Sequence, residues 1–555
     1  MNKLIKHIIL LIVALIAINF LSSKIYQRFD FTADKRYTLS ESAIGIVKDI
    51  ESPIVVDVFL EGDDFPSEFR RLQKETQQLL EEFQSENDNV QFNFINPLLD
   101  ESTRDRNIQQ LTQRGLTPMQ LNVQESGKSS QAVIFPWALA SYNGQTVTIP
   151  LVKNKIGASQ QELVTNSIQH LEYAFADGFS KLTKPKRKKI AILKGNQQLE
   201  DKHIADFVKK LGEYYFIAPF TLDSVANNPQ KTLNDIESYD LIISAKPTKA
   251  FTEKEKLVLD QYTMNGGKSL WLIDAIIMEK DSLYNASGKN YAVTRDLNLT
   301  DFFFKYGLRI NPVMVSSLYS APITLAMGSG SDSQFQHLKW PYSPLAGTSS
   351  NHPIVNNLNL VKFDFANQID TLKNNIKKTI LLESAPVTKL EGAPREVSLD
   401  IVTKVQNPQL FNQGNQTLSV LLEGEFNSVY SNRIKPFNLS EEKNKSTSTK
   451  MIVIADGDLI KNDVVRNVPQ ELGFDRWTGH TYGNKEFLLN AVNYLLDDNG
   501  LINIRSKEIA VAFLNQQKIA DQKTKWQLIN IVLPIILLSV FGFVFNYLRK
   551  KKYGA

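Results

Sequence analysis

The sequence predicts an α/β protein whose folded part is held between two membrane-spanning helices. Three observations carry this expectation. Residues 526–548 read WQLINIVLPIILLSVFGFVFNYL, with no acidic or basic side chain, and Arg549, Lys550, Lys551 and Lys552 follow at once. A bilayer core about 30 Å thick needs about 20 apolar helical residues. At the front, Lys3 and Lys6 precede an apolar run over 8–21. Between these ends, short apolar runs of strand length alternate with segments of helical period, as in sheets joined by crossover helices.

The front has the layout of a secretion signal. Cleavage wants small residues three apart, and cuts after Ser22 or Ser23 would put Phe20 or Leu21 at the upstream position. The reading is therefore an uncleaved signal anchor over 8–24, rather than a removed signal peptide, with Lys24 able to snorkel. Basic residues at both outer ends prefer the cytoplasm. This places a tail at 1–7 and a basic tail at 549–555 inside, with a juxtamembrane segment over 501–525. The bulk of the chain then faces the periplasm of a bacterial inner membrane, and membrane lipid is a partner.

Composition narrows the function classes. The chain has 555 residues, 42% hydrophobic and 22% charged, which is ordinary for folded domains. A net charge of +4 gives no basic field for nucleic acid. No cysteine is present, which excludes thiol nucleophiles, cysteine-ligated zinc, iron–sulfur clusters and disulfides.

A first domain is expected over 35–182. Ser40 starts a helix to Ile50 and Pro53 breaks it. IVVDVFL (54–60) is a strand, 66–85 a helix, VQFNFI (90–95) a strand and 102–113 a helix. Strands follow at 121–123, 132–135 and 145–151, with Asn143-Gly144 as a hairpin turn. A helix over 159–176 closes the domain. The order resembles a thioredoxin-like layout, and without a Cys pair it implies a scaffold or binding module. Phe135-Pro136-Trp137 reads as core packing, with a binding ridge as the alternative.

Lys181 to Lys189, KLTKPKRKK, contains a basic linker at 183–189. It reads as solvated, with contact to anionic lipid head groups as the alternative. A second domain over 190–500 has the parallel α/β pattern. Strands are expected at 190–193, 216–220, 239–244 and 269–273, with helices at 204–211 and 252–262. Thr252 is the expected N-cap, and Asn265-Gly266-Gly267 the C-cap. Residues 275–440 are less regular, with strands at 308–310, 379–383 and 418–423, and 440–450 reads as a surface loop. The order resembles an amidotransferase-like core, whose chemistry needs a Cys on a strand–helix turn. The six His residues (7, 170, 203, 337, 352, 480) have no metal-ligand spacing. Gly328-Ser-Gly-Ser-Asp332 has no buried strand before it and reads as a loop. The strand 451–455 ends in Asp456-Gly457-Asp458. Two carboxylates there are where an α/β enzyme would hold Mg²⁺, but an Asp-Gly turn leaving the sheet is the preferred reading. No Walker A sequence occurs. A helix over 485–496 closes the domain.

Ordered segments carry a family resemblance. They are FDFTADKRYTLS (29–40), FLEGDDFPSEFRRL (59–72), YDLIISAKP (239–247), FTEKEKLVLDQYTMNGGK (251–268), LLEGEFNSVYSNR (421–433), VIADGDLIKND (453–463) and the stretch 483–511. The chain resembles the GldG family of gliding-motility-associated ABC transporter accessory proteins, often labelled substrate-binding. The resemblance implies a hetero-oligomer with an ABC permease subunit and a separate ATPase subunit. The expected function is a non-enzymatic auxiliary subunit coupled to the permease, with no catalytic, cofactor-binding or metal residues. The alternatives are a membrane-anchored solute-binding component and an envelope hydrolase using Asp456 and Asp458. Asn530, Pro534 and Ser539 in the last helix mark the expected contact with the permease.

Overall fold

The computed structural model describes residues 38–62, 65–125, 128–328, 332–497, 500–507 and 516–554, with a few positions between 7 and 19. The expected anchor at 8–24 lies largely outside these residues. The chain divides into a compact unit up to Glu508 and a second unit, Ile509–Ala555.

The front of the first unit is built from α1 (Glu41–Lys48), β1 (Ile54–Val58), α2 (Ser67–Glu86), β2 (Val90–Phe94), α3 (Arg104–Gln113), β3 (Met119–Glu125), β4 (Lys128–Ile134), β5 (Trp137–Tyr142), β6 (Gln145–Pro150) and α4 (Gln160–Thr183). Ser40 caps α1 by accepting from the Ala43 N–H. Ser159 and Glu162 form a capping box at the start of α4. The sheet order is β2-β1-β5-β6, with β1 parallel to β2 and antiparallel to β5. β3 and β4 pair as a separate hairpin. The alternating strand β1 buries Ile54, Val56 and Val58 against Phe69, Leu72, Leu80 and Phe83 of α2 and Phe175 and Phe179 of α4. Phe135 is buried in a small cluster with Phe59, Leu111, Leu116 and Leu139. Trp137 opens β5 and donates its indole N–H to the Thr117 carbonyl at 2.8 Å. Both side chains serve packing.

The back follows with β7 (Lys189–Lys194), α5 (Asp201–Leu211), β8 (Phe216–Thr221), α6 (Pro229–Ile236), β9 (Leu241–Ala245), α7 (Glu253–Met264) and β10 (Lys268–Leu272). Thr252 and Glu255 make a capping box on α7. Gly266, just beyond Asn265, has φ +91° and supplies the left-handed stop. The main sheet runs Ser320–Met327, Gln334–Gly347, Lys377–Ser384, Thr417–Gly424, Thr449–Ile454, β10, β9, β7, β8. From Thr449–Ile454 to β8 it is parallel. From Thr417–Gly424 outward it is antiparallel. The sequence pattern anticipates the parallel half and, in the antiparallel half, the strands at 379–383 and 418–423. Pro322, Pro341 and Pro344 interrupt the antiparallel strands and break the apolar runs that announce a buried strand.

Alternate residues of the parallel strands feed two layers. Ile190, Ile192, Ile243, Leu270 and Ile452 face α5 and the helix Asn484–Leu496. Ala191, Leu193, Ile242, Trp271 and Val453 face α6 and α7. Gly328 and Asp332 lie at the turn between two antiparallel strands, and 329–331 fall outside the described residues.

The front and back are tied within this unit. Glu486 on the helix Asn484–Leu496 meets the Lys153 ammonium at 2.5 Å and the Arg505 guanidinium at 2.6 Å. Residues 501–506 form a 3₁₀ segment whose Ile502 and Ile504 enter the front core. Burial opposes the charge on Glu486, yet Lys153 and Arg505 hold its pKa down to about 2. The second unit contains the helix Gln516–Tyr553, of which Asp521–Tyr553 is long and apolar enough to cross a membrane. Pro534 lies inside it, and Ser539 donates to the Ile535 carbonyl at 2.8 Å.

Glu486 has a folded pKa below its ordinary 4.5, so its contribution is complete above about pH 4.5 and fades as pH falls toward about 2. Glu486→Gln is expected to flatten urea-unfolding stability across that window. At pH 7 it should cost about 3 kcal/mol by leaving two cations facing each other.

Candidate functional site

The carboxyl ends of β9, β10 and the strand Thr449–Ile454 converge on one charged cluster. The register sets this. Ala245 pairs with Leu272, and Leu272 with Ile454. The next residues out of the sheet are therefore Lys246, then Asp274 and Asp456, at nearly one height. Ligand sites of open α/β sheets lie at this end, where strand order reverses. Here β8 and β9 flank β7 on opposite sides, so the strand order reverses next to β9, one of the three strands that carry the cluster.

Lys246 is the centre of the cluster. Its side chain is 3% exposed, and its ammonium lies 2.6 Å from Asp458, 2.6 Å from Glu279 and 3.7 Å from Asp274. Its backbone has φ +54°, a left-handed conformation rare outside glycine. Burial works against its charge, but Asp458, Asp274 and Glu279 outweigh that and raise its pKa above the ordinary lysine value. Gly457 passes directly over it, and a Cβ there would collide with the lysine stem. The Gly457 N–H donates to Asp274 at 2.5 Å.

Asp456 is fully buried and accepts the Asp364 N–H and the Asp458 N–H, each at 2.7 Å. Burial, with the charges of Asp458 and Asp274, pushes its pKa well above the usual carboxylate range. Burial likewise lifts Asp274 to about 6 against the pull of Lys246. The oxygens of Asp274, Glu279 and Asp458 lie within 4.8 Å of one another, a spacing that fits a cation. The Lys246 ammonium makes ion pairs to all three. Asp456, one of the two candidate carboxylates, is not in that triplet, because its oxygens are committed to backbone donors.

Beside the cluster lies a cavity of about 380 Å³. Lys280 and Lys362 each approach the Asp364 carboxylate at 3.5 Å, and Ser343 donates to it. His203 and Trp477 also line it. Three other histidines stand elsewhere: His170 packs on Tyr173, His352 on Tyr494, and His337 pairs with Thr324. Sequence reasoning named Asp456 and Asp458 but gave no role to Lys246, Glu279 or Asp364. One signal was available: the fully apolar strand LIISA runs straight into a lysine, and a charge there must meet partners at the sheet end.

Lys246→Met is expected to cost about 3 kcal/mol or more, because buried carboxylates lose their cation. The loss should shrink as pH falls and the orphaned carboxylates protonate. Unfolding in urea between pH 5 and 8 measures this, and Asp458→Asn in the same chain should restore part of the stability.

Comparisons with known proteins bear on this part of the chain. Residues 187–491 match the ABC transporter auxiliary family, described as an ABC-type uncharacterized transport system. Residues 33–141 match a domain family of unknown function. An uncharacterized protein of Borreliella burgdorferi is 20% identical over 445 residues, covering 79% of this chain and 78% of that protein. Among solved structures, the mmIFT52 N-terminal domain aligns at 12% identity and TM-score 0.31, over 56% of this chain and 98% of that one. A cytoplasmic protein from Salmonella typhimurium aligns at 12% identity and TM-score 0.27, over 56% and 99%. Overlaps this loose carry no argument. The family match covers more than half of the 555 residues and contains every residue of the Lys246 cluster, so the chain belongs to the ABC transporter auxiliary family.

Proposed function

We propose that the chain is a non-catalytic accessory subunit of an ABC-type membrane complex. Its compact unit faces the periplasm and couples to the permease subunit, while a separate subunit hydrolyses ATP. In this reading both termini are cytoplasmic, a signal anchor over 8–24 pairs with the C-terminal helix, and the complex serves gliding motility. The front domain is read as thioredoxin-like, supported by the order β2-β1-β5-β6 with a parallel first pair. The back is read as an amidotransferase-like core without its active site: the parallel strands support the core, and the sequence has no Cys for its chemistry.

The observation that carries a structural rather than a chemical role is the use made of the strand-end carboxylates. Asp456 spends both oxygens on backbone N–H groups, and Asp458 and Glu279 close on an internal ammonium. Asp458 and Glu279 line the cavity, but a hydrolytic site would need one of them free of that ammonium. The helix Asp521–Tyr553, ending in a basic run, supports a membrane anchor. A second reading, capture of a solute, rests on the cavity beside the cluster.

Extraction of the tagged full chain in mild detergent is expected to bring down a multi-span permease and an ATPase. Recovery of the chain alone would overturn the coupling role. In the same preparations, Asn530→Leu and Pro534→Ala in the last helix should lower permease recovery without lowering the amount of chain.

A further inference from the structure

The basic run 181–189 has no part in the reading above, yet the fold gives it a defined place. It does not hang free between two halves. The Lys184 N–H bonds to the Ser180 carbonyl at the end of α4, and the Lys189 N–H to the Asp240 carboxylate at 2.8 Å. The Lys188 carbonyl accepts the Phe216 N–H. Pro185 fixes one φ between these anchors. Five cations of the run, Lys181 through Lys188, line one crevice of about 560 Å³.

Among the described residues none of the three acids in that crevice, Asp49, Glu213 and Asp497, pairs with Lys184 or Arg187. Glu213 is taken by Lys181 at 3.1 Å and Lys210 at 2.7 Å. Asp497 accepts the Ile502 N–H. Lys188 has its own partner in Asp240 at 3.4 Å, and Lys186 donates to the Gly212 carbonyl. The side chains of Lys184 and Arg187 have no hydrogen-bond or ion-pair partner among the described residues. One ammonium and one guanidinium thus stand unpaired on a braced loop. The wall beside them carries Tyr214 and Tyr215, their rings 5.9 Å apart, and Tyr215 is fixed by a 2.9 Å bond to Asn493. A guanidinium fork matches phosphate oxygens in pairs, and an ammonium adds a point charge. Bracing the loop removes much of the ordering cost of binding.

We propose that this crevice binds a phosphate-bearing anion through Lys184 and Arg187. Lys184 also complements the carbonyl end of α4, so the test reads anion binding and not stability alone. The chain has no cysteine, so Ser180→Cys, in the crevice wall, gives a single thiol for an environment-sensitive dye. The full-length labelled chain in detergent is titrated with inorganic pyrophosphate. A saturable response is expected, about tenfold weaker in Lys184→Gln/Arg187→Gln and unchanged in Lys231→Gln on α6. Matching circular dichroism melts show that the double variant is folded. A second arm places the labelled chain in nanodiscs of phosphatidylcholine with or without phosphatidylglycerol. A dye change on adding phosphatidylglycerol, lost in the double variant, identifies a lipid head group. A response to pyrophosphate alone identifies a soluble phosphate compound. No saturable response in either arm, or an equal response in the double variant, overturns the proposal.

Discussion

One buried ammonium governs the end of the sheet where an α/β protein normally works. Parallel strands in register bring their carboxyl ends to one level, and three of them deliver Lys246, Asp274 and the pair Asp456/Asp458 there. Carboxylates this close repel and resist burial. Lys246 resolves the conflict by adopting a left-handed backbone and placing its charge among Asp458, Glu279 and Asp274. The arrangement in turn demands glycine at 457, since a side chain there would strike the lysine. Asp456 serves as a backbone acceptor that joins the strand Thr449–Ile454 to Asp364. Removing either sign of charge leaves the other exposed in a low-dielectric site, so the cluster is held as a set.

A second ionic device works at a larger scale. Lys153, from the segment between β6 and α4, and Arg505, from the 3₁₀ segment after the helix Asn484–Leu496, share Glu486. Apolar contacts run the same way, with Ile502 and Ile504 in the front core. The front and back sheets therefore form one compact unit, although the sequence reads as two patterned regions.

Much of the fold was legible because its elements follow local rules. The capping boxes at Ser159/Glu162 and Thr252/Glu255 mark helix starts by side-chain chemistry alone. Runs such as LIISA and MIVI can only be buried strands. Of the antiparallel half, 379–383 and 418–423 read as strands, whereas the outer ones, such as Gln334–Gly347, were not legible because they mix prolines with exposed polar residues. They are recognised by their partners, not by their own pattern. The carboxylates of the candidate site were visible in ADGD, but their roles were not. Whether an aspartate faces a substrate or a backbone N–H depends on Asp364, 92 residues away from Asp456. Lys246 was equally hidden, since its partners are Asp274, Glu279 and Asp458.

In the proposed role Lys246, with Lys461, holds the carboxylates of the sheet end, so that they keep structure instead of a metal or a substrate. Calorimetric titration of Mn²⁺ into the full-length chain in detergent tests this most directly, because Asp274, Glu279 and Asp458 have the spacing of a cation site. The account predicts no saturable heat for the native chain at neutral pH. Stoichiometric Mn²⁺ binding that disappears in Asp458→Ala would contradict it.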